Sequence, residues 1–207
     1  MKIVTLVPSQ KVQGRWLLTF EDGTKLKISD REMVDFSLYQ GLDMPEAALE
    51  QLKDAAGASR ARRRAANILS TRPMSRHELE KRLVEKGESP EHAAAACDEL
   101  ERLGYLDDAL YAKTLASHYA RKGYGPRKIQ DELYRRGVPR ELWDEALEGL
   151  EENDDAMDRF VASRLGRIEN PDQKDIKRVS DALVRRGYSW SDISAALRRY
   201  TDALDED

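Results

Sequence analysis

Residues 129–137 read I-Q-D-E-L-Y-R-R-G, and the same frame returns fifty residues away on either side. It is L-E-K-R-L-V-E-K-G at 79–87 and V-S-D-A-L-V-R-R-G at 179–187. Leu83, Leu133 and Leu183 coincide, and so do Gly87, Gly137 and Gly187, each preceded by a cation (Lys86, Arg136, Arg186). The apolar pairs Leu79/Leu83, Ile129/Leu133 and Val179/Leu183 lie at i, i+4 spacing, one face of a helix. The glycine is the left-handed residue that ends it. The register extends in both directions without gaps: Ala65, Leu115 and Leu165 correspond upstream, and Ala96, Ala146 and Ala196 downstream. Self-similarity at a fixed period marks a repeat architecture, although fifty matches none of the familiar helical repeats.

Each copy reads as three helices. The first is apolar-periodic, as in Tyr111, Leu115 and Tyr119. The second begins after Ser75, Gly125 or Asp175, all reasonable N-caps, with Ser75-Arg76-His77-Glu78 spaced as a capping box. Ser89-Pro90 and Ser189-Trp190 start the third, and Pro139 ends the turn in the middle copy. Three-helix units with a short second turn resemble helix-turn-helix geometry, and stacking them predicts a curved, elongated array. Cys97 aligns with Leu147 and Leu197, so it reads as a small buried hydrophobe. Trp143 aligns with Ala93 and Ile193 and reads as core.

Upstream of the repeat the period changes to two. Trp16, Leu18 and Phe20 alternate with Arg15, Leu17 and Thr19, and Leu26 and Ile28 alternate with Lys25 and Lys27. Asp22-Gly23 between them is a hairpin turn signal. Residues 2–7 supply a third strand. So small a sheet needs helices under its apolar face. A short helix capped by Asp30 is expected over 30–40, then a longer one from Pro45, running through Gly57 into R60-A-R-R-R64. The expected fold is mainly α: tandem three-helix repeats over 59–108, 109–158 and 159–207, after an N-terminal β-hairpin or sheet with helices over 1–58.

Composition narrows the function. Charged residues make up 36 % of the 207, and apolar ones 40 %, which fits long charged helix faces over narrow cores. No apolar run approaches a membrane span, and the start is too short for a signal peptide. A single cysteine excludes an internal disulfide framework and points to a reducing, cytoplasmic compartment. The net charge of −4 hides segregation: 59–77 holds six arginines and no acid, while 140–158 holds nine acids against one arginine. His77, His92 and His118 are scattered without ligand partners, and neither a P-loop nor zinc spacing occurs. No catalytic, cofactor-binding or metal-binding residue is expected.

L103-G-Y-L-D-D-A-L-Y-A112, followed by R121-K-G-Y-G-P-R-K-I-Q-D-E-L133 and R135-R-G-V138, resembles the RecX family of bacterial recombinase regulators. R72-P-M-S-R-H-E-L79 and L83-V-E-K-G87 match the family's opening module. The resemblance is strong over about 60–150 and looser beyond. It implies tandem three-helix repeats and a regulator, mainly inhibitory, of the RecA recombinase. Such a protein lies in the groove of the RecA–DNA filament and limits its growth or activity, without catalysis.

The residues themselves offer candidates for that contact. Arg60, Arg62, Arg63 and Arg64 form one group. Arg121, Lys122, Arg127 and Lys128 form a second, and Lys174, Lys177 and Arg178 a third. The last two straddle the same corner in the repeat register, and cations beside an exposed helix start favour phosphate. Acidic residues Glu145, Glu148, Glu151 and Glu152 suit a protein partner more than DNA. The expected partners are the RecA filament and single- or double-stranded DNA, with no membrane and a monomeric chain. A sequence-independent DNA-binding protein without a recombinase partner, or an adaptor that binds only proteins, remains compatible with the residues alone.

Overall fold

A computed structural model describes residues 1–148, 150, 154–168 and 171–205. The chain forms two compact units: residues 1–73 with 78–106, and residues 74–77 with 107–207.

The first unit opens with the expected sheet. Strands β1 (Ile3–Pro8), β2 (Arg15–Phe20) and β3 (Lys25–Ser29) pair antiparallel in sequence order. Gly23 makes the β2–β3 turn at φ +83°, and the Asp22 carboxylate accepts the Thr24 N–H at 2.9 Å. The alternation buries Ile3, Leu18, Phe20 and Ile28 against Leu49, Leu52 and Ala56.

Helix α1 (Asp30–Asp35) is shorter than expected and has a different cap. Ser29 takes the N-cap, its N–H and hydroxyl both donating to Glu32 at 2.6 Å. Asp30 cannot serve because its carboxylate accepts the Trp16 indole N–H at 2.5 Å. Ser37, at φ +48°, stops the helix well before residue 40.

Helix α2 (Glu46–Leu69) does run unbroken through Gly57. It packs along α4 (Pro90–Arg102). Both buried faces are built from small residues: Ala56, Gly57, Ala61 and Ala65 on one, Ala93, Ala96 and Cys97 on the other. A Cβ on Gly57 would overlap the His92 imidazole, which bonds Asp54 at 2.9 Å. Helix α3 (Arg76–Glu85) buries Leu79 and Leu83.

The second unit contains α5 (Asp108–Arg121) and α6 (Pro126–Arg135), a 3-10 turn at Arg140–Leu142 and the short α7 (Trp143–Leu147). It continues with α8 (Asp154–Leu165), α9 (Gln173–Arg185) and α10 (Trp190–Asp205). One core joins α5 to α7, with Ile129 and Leu133 fully buried, and Trp143 half-buried on it as expected. Another joins α8 to α10 through Val161, Leu183 and Ile193. The third helix of the middle copy is broken after Pro139, and the Trp143 indole donates to the Val138 carbonyl at 3.0 Å.

The start of α9 also differs from the expected one. Asp172, not Asp175, is the N-cap: it accepts the N–H groups of Lys174 and Asp175, and Asp175 completes a capping box as N3. Those backbone donors, Asp175 first, hold the Asp172 carboxyl below its ordinary pKa.

The glycine of each second helix is left-handed as expected, with φ +85° at Gly87, +66° at Gly137 and +90° at Gly187. In all three the next residue's N–H returns to Leu83, Leu133 or Leu183, the bond that defines a Schellman end. That next residue is buried each time, but it is Val138 or Tyr188 in two copies and Glu88 in the first.

Candidate nucleic-acid interface

The first arginine group divides in two. All four lie in the second half of α2, spaced so that 60 and 64 share one side while 62 and 63 fall elsewhere. Glu88 is fully buried, and its carboxylate is the target of both outer arginines. Arg60 approaches at 2.9 Å and Arg64 at 2.7 Å. Arg64 also donates to the Lys86 carbonyl at 2.5 Å, serving an orphan C-terminal acceptor of α3. Arg60 and Arg64 therefore neutralise a buried charge at the helix end. Arg62 and Arg63 make no hydrogen bond or ion pair among the described residues.

The second group sits at the corner between α5 and α6. Arg121 and Lys122 are exposed at the end of α5, the Lys122 ammonium 5.9 Å from the Tyr119 ring centroid. Arg127 is exposed on the first turn of α6, whereas Lys128 is half-buried and lies 3.6 Å from the buried Glu132. Arg135 pairs with the same carboxylate at 2.8 Å. Burial, then Glu132, raises the Tyr119 pKa beside them.

The α6 start is not open to a phosphate, contrary to the sequence expectation. Gly125 is buried, and its N–H donates to the Arg186 carbonyl at 2.8 Å. The Arg127 N–H donates to the Gly187 carbonyl at 3.2 Å. Two of the first-turn donors an anion would need are already spent on the Schellman turn of the third copy. Gly125 is required there by space, since a Cβ would stand 2.6 Å from the Gly187 carbonyl carbon. Arg186 completes the joint, donating to the Gly123 carbonyl at 3.2 Å while its guanidinium lies 4.4 Å from the Phe160 ring centroid. Residues 74–77 make the equivalent joint on the middle copy: the Ser75 hydroxyl donates to the Arg136 carbonyl, and a Cβ on Gly137 would strike His77. The Arg76 N–H is taken by Asp108 at 2.8 Å.

In the third group, Lys174 and Lys177 are exposed, and Arg178 pairs with Asp175 at 3.1 Å. The second and third groups are equivalent in register but do not form one cluster. The second abuts residues 186–187, beyond the end of α9, whereas Lys174 stands on its first turn. At about 1.5 Å per residue the helix puts about 18 Å between Lys174 and that end, and about 12–15 Å for Lys177 and Arg178. Of the acidic candidates, Glu145 pairs with Lys113 at 2.7 Å and Glu148 is exposed, while Glu151 and Glu152 lie outside the described residues.

The lone cysteine and the histidines take ordinary places. Cys97 is buried, His77 and His118 are not fully buried, and His92 is held by Asp54. Among the described residues no helix is long and apolar enough to cross a membrane. What sequence reasoning missed was Glu88. Its repeat alignment with Val138 and Tyr188 marks a buried position, and a buried acid demands cations.

The fold and the spread of exposed cations define a protein of tandem three-helix domains of helix-turn-helix type. Comparison with known proteins agrees. Residues 61–100 match the family model for the first three-helix domain of RecX, and 107–147 the model for its second. Regulatory protein RecX of Pseudomonas fluorescens is 35 % identical over 138 residues, covering 66 % of this chain and 88 % of that protein. Its namesake from Lactobacillus delbrueckii subsp. bulgaricus is 28 % identical over 211 residues, spanning 100 % of this chain and 78 % of the relative. A crystal structure of regulatory protein RecX superposes with a TM-score of 0.74 at 20 % identity, covering 95 % of this chain and 98 % of that one. The chain belongs to the RecX family of regulatory proteins.

Proposed function

We propose that this chain regulates the RecA recombinase, mainly negatively, by lodging in the groove of the RecA–DNA filament and limiting its growth or activity in recombination and DNA repair. The observation that carries the proposal is the match of both three-helix domains to RecX, together with relatives named as regulatory proteins. The protein acts as a monomer in the cytoplasm by binding rather than catalysis, and needs no cofactor. We assign its domains as 1–58, 59–108, 109–158 and 159–207. The exposed or half-exposed cations that form no ion pair among the described residues (Arg62, Arg63, Arg121, Lys122, Arg127, Lys174 and Lys177) are the better phosphate contacts. Arg60, Arg64, Lys128 and Arg178 are already engaged by carboxylates. Phosphate contacts of this kind position a protein without reading sequence.

The test is RecA-driven ATP hydrolysis and strand exchange on single-stranded DNA, with this protein titrated in. Inhibition at substoichiometric to stoichiometric amounts is expected. No effect with the cognate recombinase sinks the proposal. Equal, steeply salt-dependent binding to bare DNA without any effect on RecA supports a sequence-independent DNA-binding protein instead.

A further inference from the structure

The first unit holds a cavity of about 840 Å³ to which nothing above assigns a role. Its walls are the β1–β2 connection, the start of α1, the basic half of α2 and the segment after α4. Val12, Leu69, Leu100, Leu103 and Tyr105 supply an apolar lining. Leu103 is 49 % exposed and Tyr105 70 %. Four arginines stand in the same walls: Arg15, Arg31, Arg62 and Arg63.

Their charge is poorly matched. Arg62 and Arg63 are without an ion pair among the described residues. Among the described residues Arg15 hydrogen-bonds only the Ser59 hydroxyl and carbonyl, both at 3.4 Å, the far limit of a hydrogen bond. Burial first, and Arg63 second, lower its pKa, so this guanidinium is desolvated beside another of like charge. Arg31 reaches the exposed Asp35 at 3.4 Å. The two acids of the lining offset them only in part: the buried Glu32 faces Arg15, and Glu99, which Arg62 and Arg31 also feel, is already paired with Arg102 at 2.8 Å, so four arginines share two carboxylates.

We infer that this groove is a docking site for an acidic, amphipathic peptide segment of a partner protein. Its apolar side chains enter the Leu69–Leu100–Leu103 lining, and its carboxylates meet Arg62, Arg63 and Arg15. Charge complementarity selects the occupant. Arginine's fork binds carboxylates in two-point fashion, and clusters of it recognise acidic motifs. A single strand of nucleic acid fits less well, because sequence-tolerant binding stacks successive bases on several aromatic platforms, and this lining offers Tyr105 alone. The groove would take such a segment whether or not the chain acts on RecA.

The experiment is panning of a phage-displayed library of random peptides, about a dozen residues long to match three turns of helix, on the full chain, counter-selected on R62E/R63E. Neither arginine makes a hydrogen bond or ion pair among the described residues and Leu103 is half-exposed, so R62E/R63E and L103D should keep the native circular dichroism. Enrichment of sequences combining Asp or Glu with Leu, Ile, Phe or Met is expected. A synthetic binder should lose about tenfold or more in affinity on R62E/R63E, on L103D, and when its own acids become amides. Three results overturn the inference: no enrichment or a basic consensus, affinity unmoved by both variants, or displacement of the peptide by a short oligo(dT) whose own binding needs the same residues. The last would make the groove a nucleic-acid site. RecA ATPase inhibition measured on the unmodified chain and on L103D, which removes no phosphate contact, separates failure of the groove from failure of the regulatory role.

Discussion

Four arginines within five residues look interchangeable in the sequence, and the structure predicts that they are not. In R60A/R64A the Glu88 carboxylate, fully buried, loses both guanidinium partners. Stranding one partner of a buried pair costs about 3–5 kcal/mol. The lower end applies here, because the position sits at a helix end where half-exposed arginines leave room for water to follow. For a chain of this length about 3 kcal/mol lowers Tm by about 6–12 °C. R62A/R63A removes side chains that make no hydrogen bond or ion pair among the described residues and should stay within about 0.5 kcal/mol of the parent. The decisive variant is the triple change R60A/R64A/E88V, which gives the first copy the apolar residue the second copy carries at Val138. Replacing a buried ionic cluster by a hydrophobe is commonly neutral or better, so most of the lost Tm should return. Thermal unfolding followed by circular dichroism, alongside binding to RecA–DNA filaments, reads both axes. R62A/R63A should weaken filament binding at unchanged Tm, and R60A/R64A should lose Tm first. An unchanged Tm in R60A/R64A, or a triple variant no more stable than the double, would refute a structural role for the outer pair.

Gly57→Ala sets two effects against each other: Ala favours the helix by about 1 kcal/mol, but its methyl collides with the His92 ring. Urea denaturation should show destabilisation in the parent and a gain of about 1 kcal/mol in a His92→Ala background. At Gly125 the backbone is ordinary (φ −82°), so Gly125→Ala should cost about 1–3 kcal/mol through overpacking against Gly187 alone. Gly23→Ala, where no atom lies within 4 Å of the added methyl, should show only the cost of its positive φ, about 1–2 kcal/mol, in the same assay. Asp172 is depressed in the folded chain, so its contribution is present above the unfolded carboxyl pKa and lost as pH falls through the lower folded value. A carbon-13 carboxyl titration should find its midpoint below 3.8, and D172N should abolish that part of the acid sensitivity. The seven cations that form no ion pair among the described residues bound the salt dependence of single-strand binding at a log–log slope of about −5; a steeper slope in fluorescence anisotropy would mean that paired cations also reach phosphate.

The repeat made most of the fold legible because its signals are backbone signals. A glycine that must be left-handed and an i, i+4 apolar pair mean the same thing in every copy, so Gly87, Gly137 and Gly187 end their helices as read. Caps were less legible because several side chains within one turn can fill the position. Asp30 lost the role to Ser29 because Trp16, fourteen residues earlier, claims its carboxylate. Asp172 preceded Asp175 because the helix begins where its first orphan N–H finds an acceptor, and the repeat register does not fix that to the residue. The candidate interface was the least legible part. A cation count does not tell which guanidinium faces a buried acid, and Glu88 is adjacent to no arginine in sequence. It comes to light only when its column in the repeat is recognised as a buried one.

That column also explains why the corner glycines and the cations around them have separate roles. The carbonyl just before each helix-ending glycine, at Lys86, Arg136 and Arg186, accepts a hydrogen bond in every copy, but from a different donor: the Arg64 guanidinium, the Ser75 hydroxyl and the Gly125 N–H. The Schellman turn is the constant element, and what docks on it has been free to change. Where a small residue docks, as at Gly125, the backbone itself makes the joint and the neighbouring cations Arg121, Lys122 and Arg127 stay exposed. Where the residue after the glycine is an acid, as at Glu88, the joint consumes two cations. Charge available to a polyanion is therefore set copy by copy by how the turn is closed, and the copy with the densest run of arginines, four within 60–64, is the one that spends half of that run on its own fold.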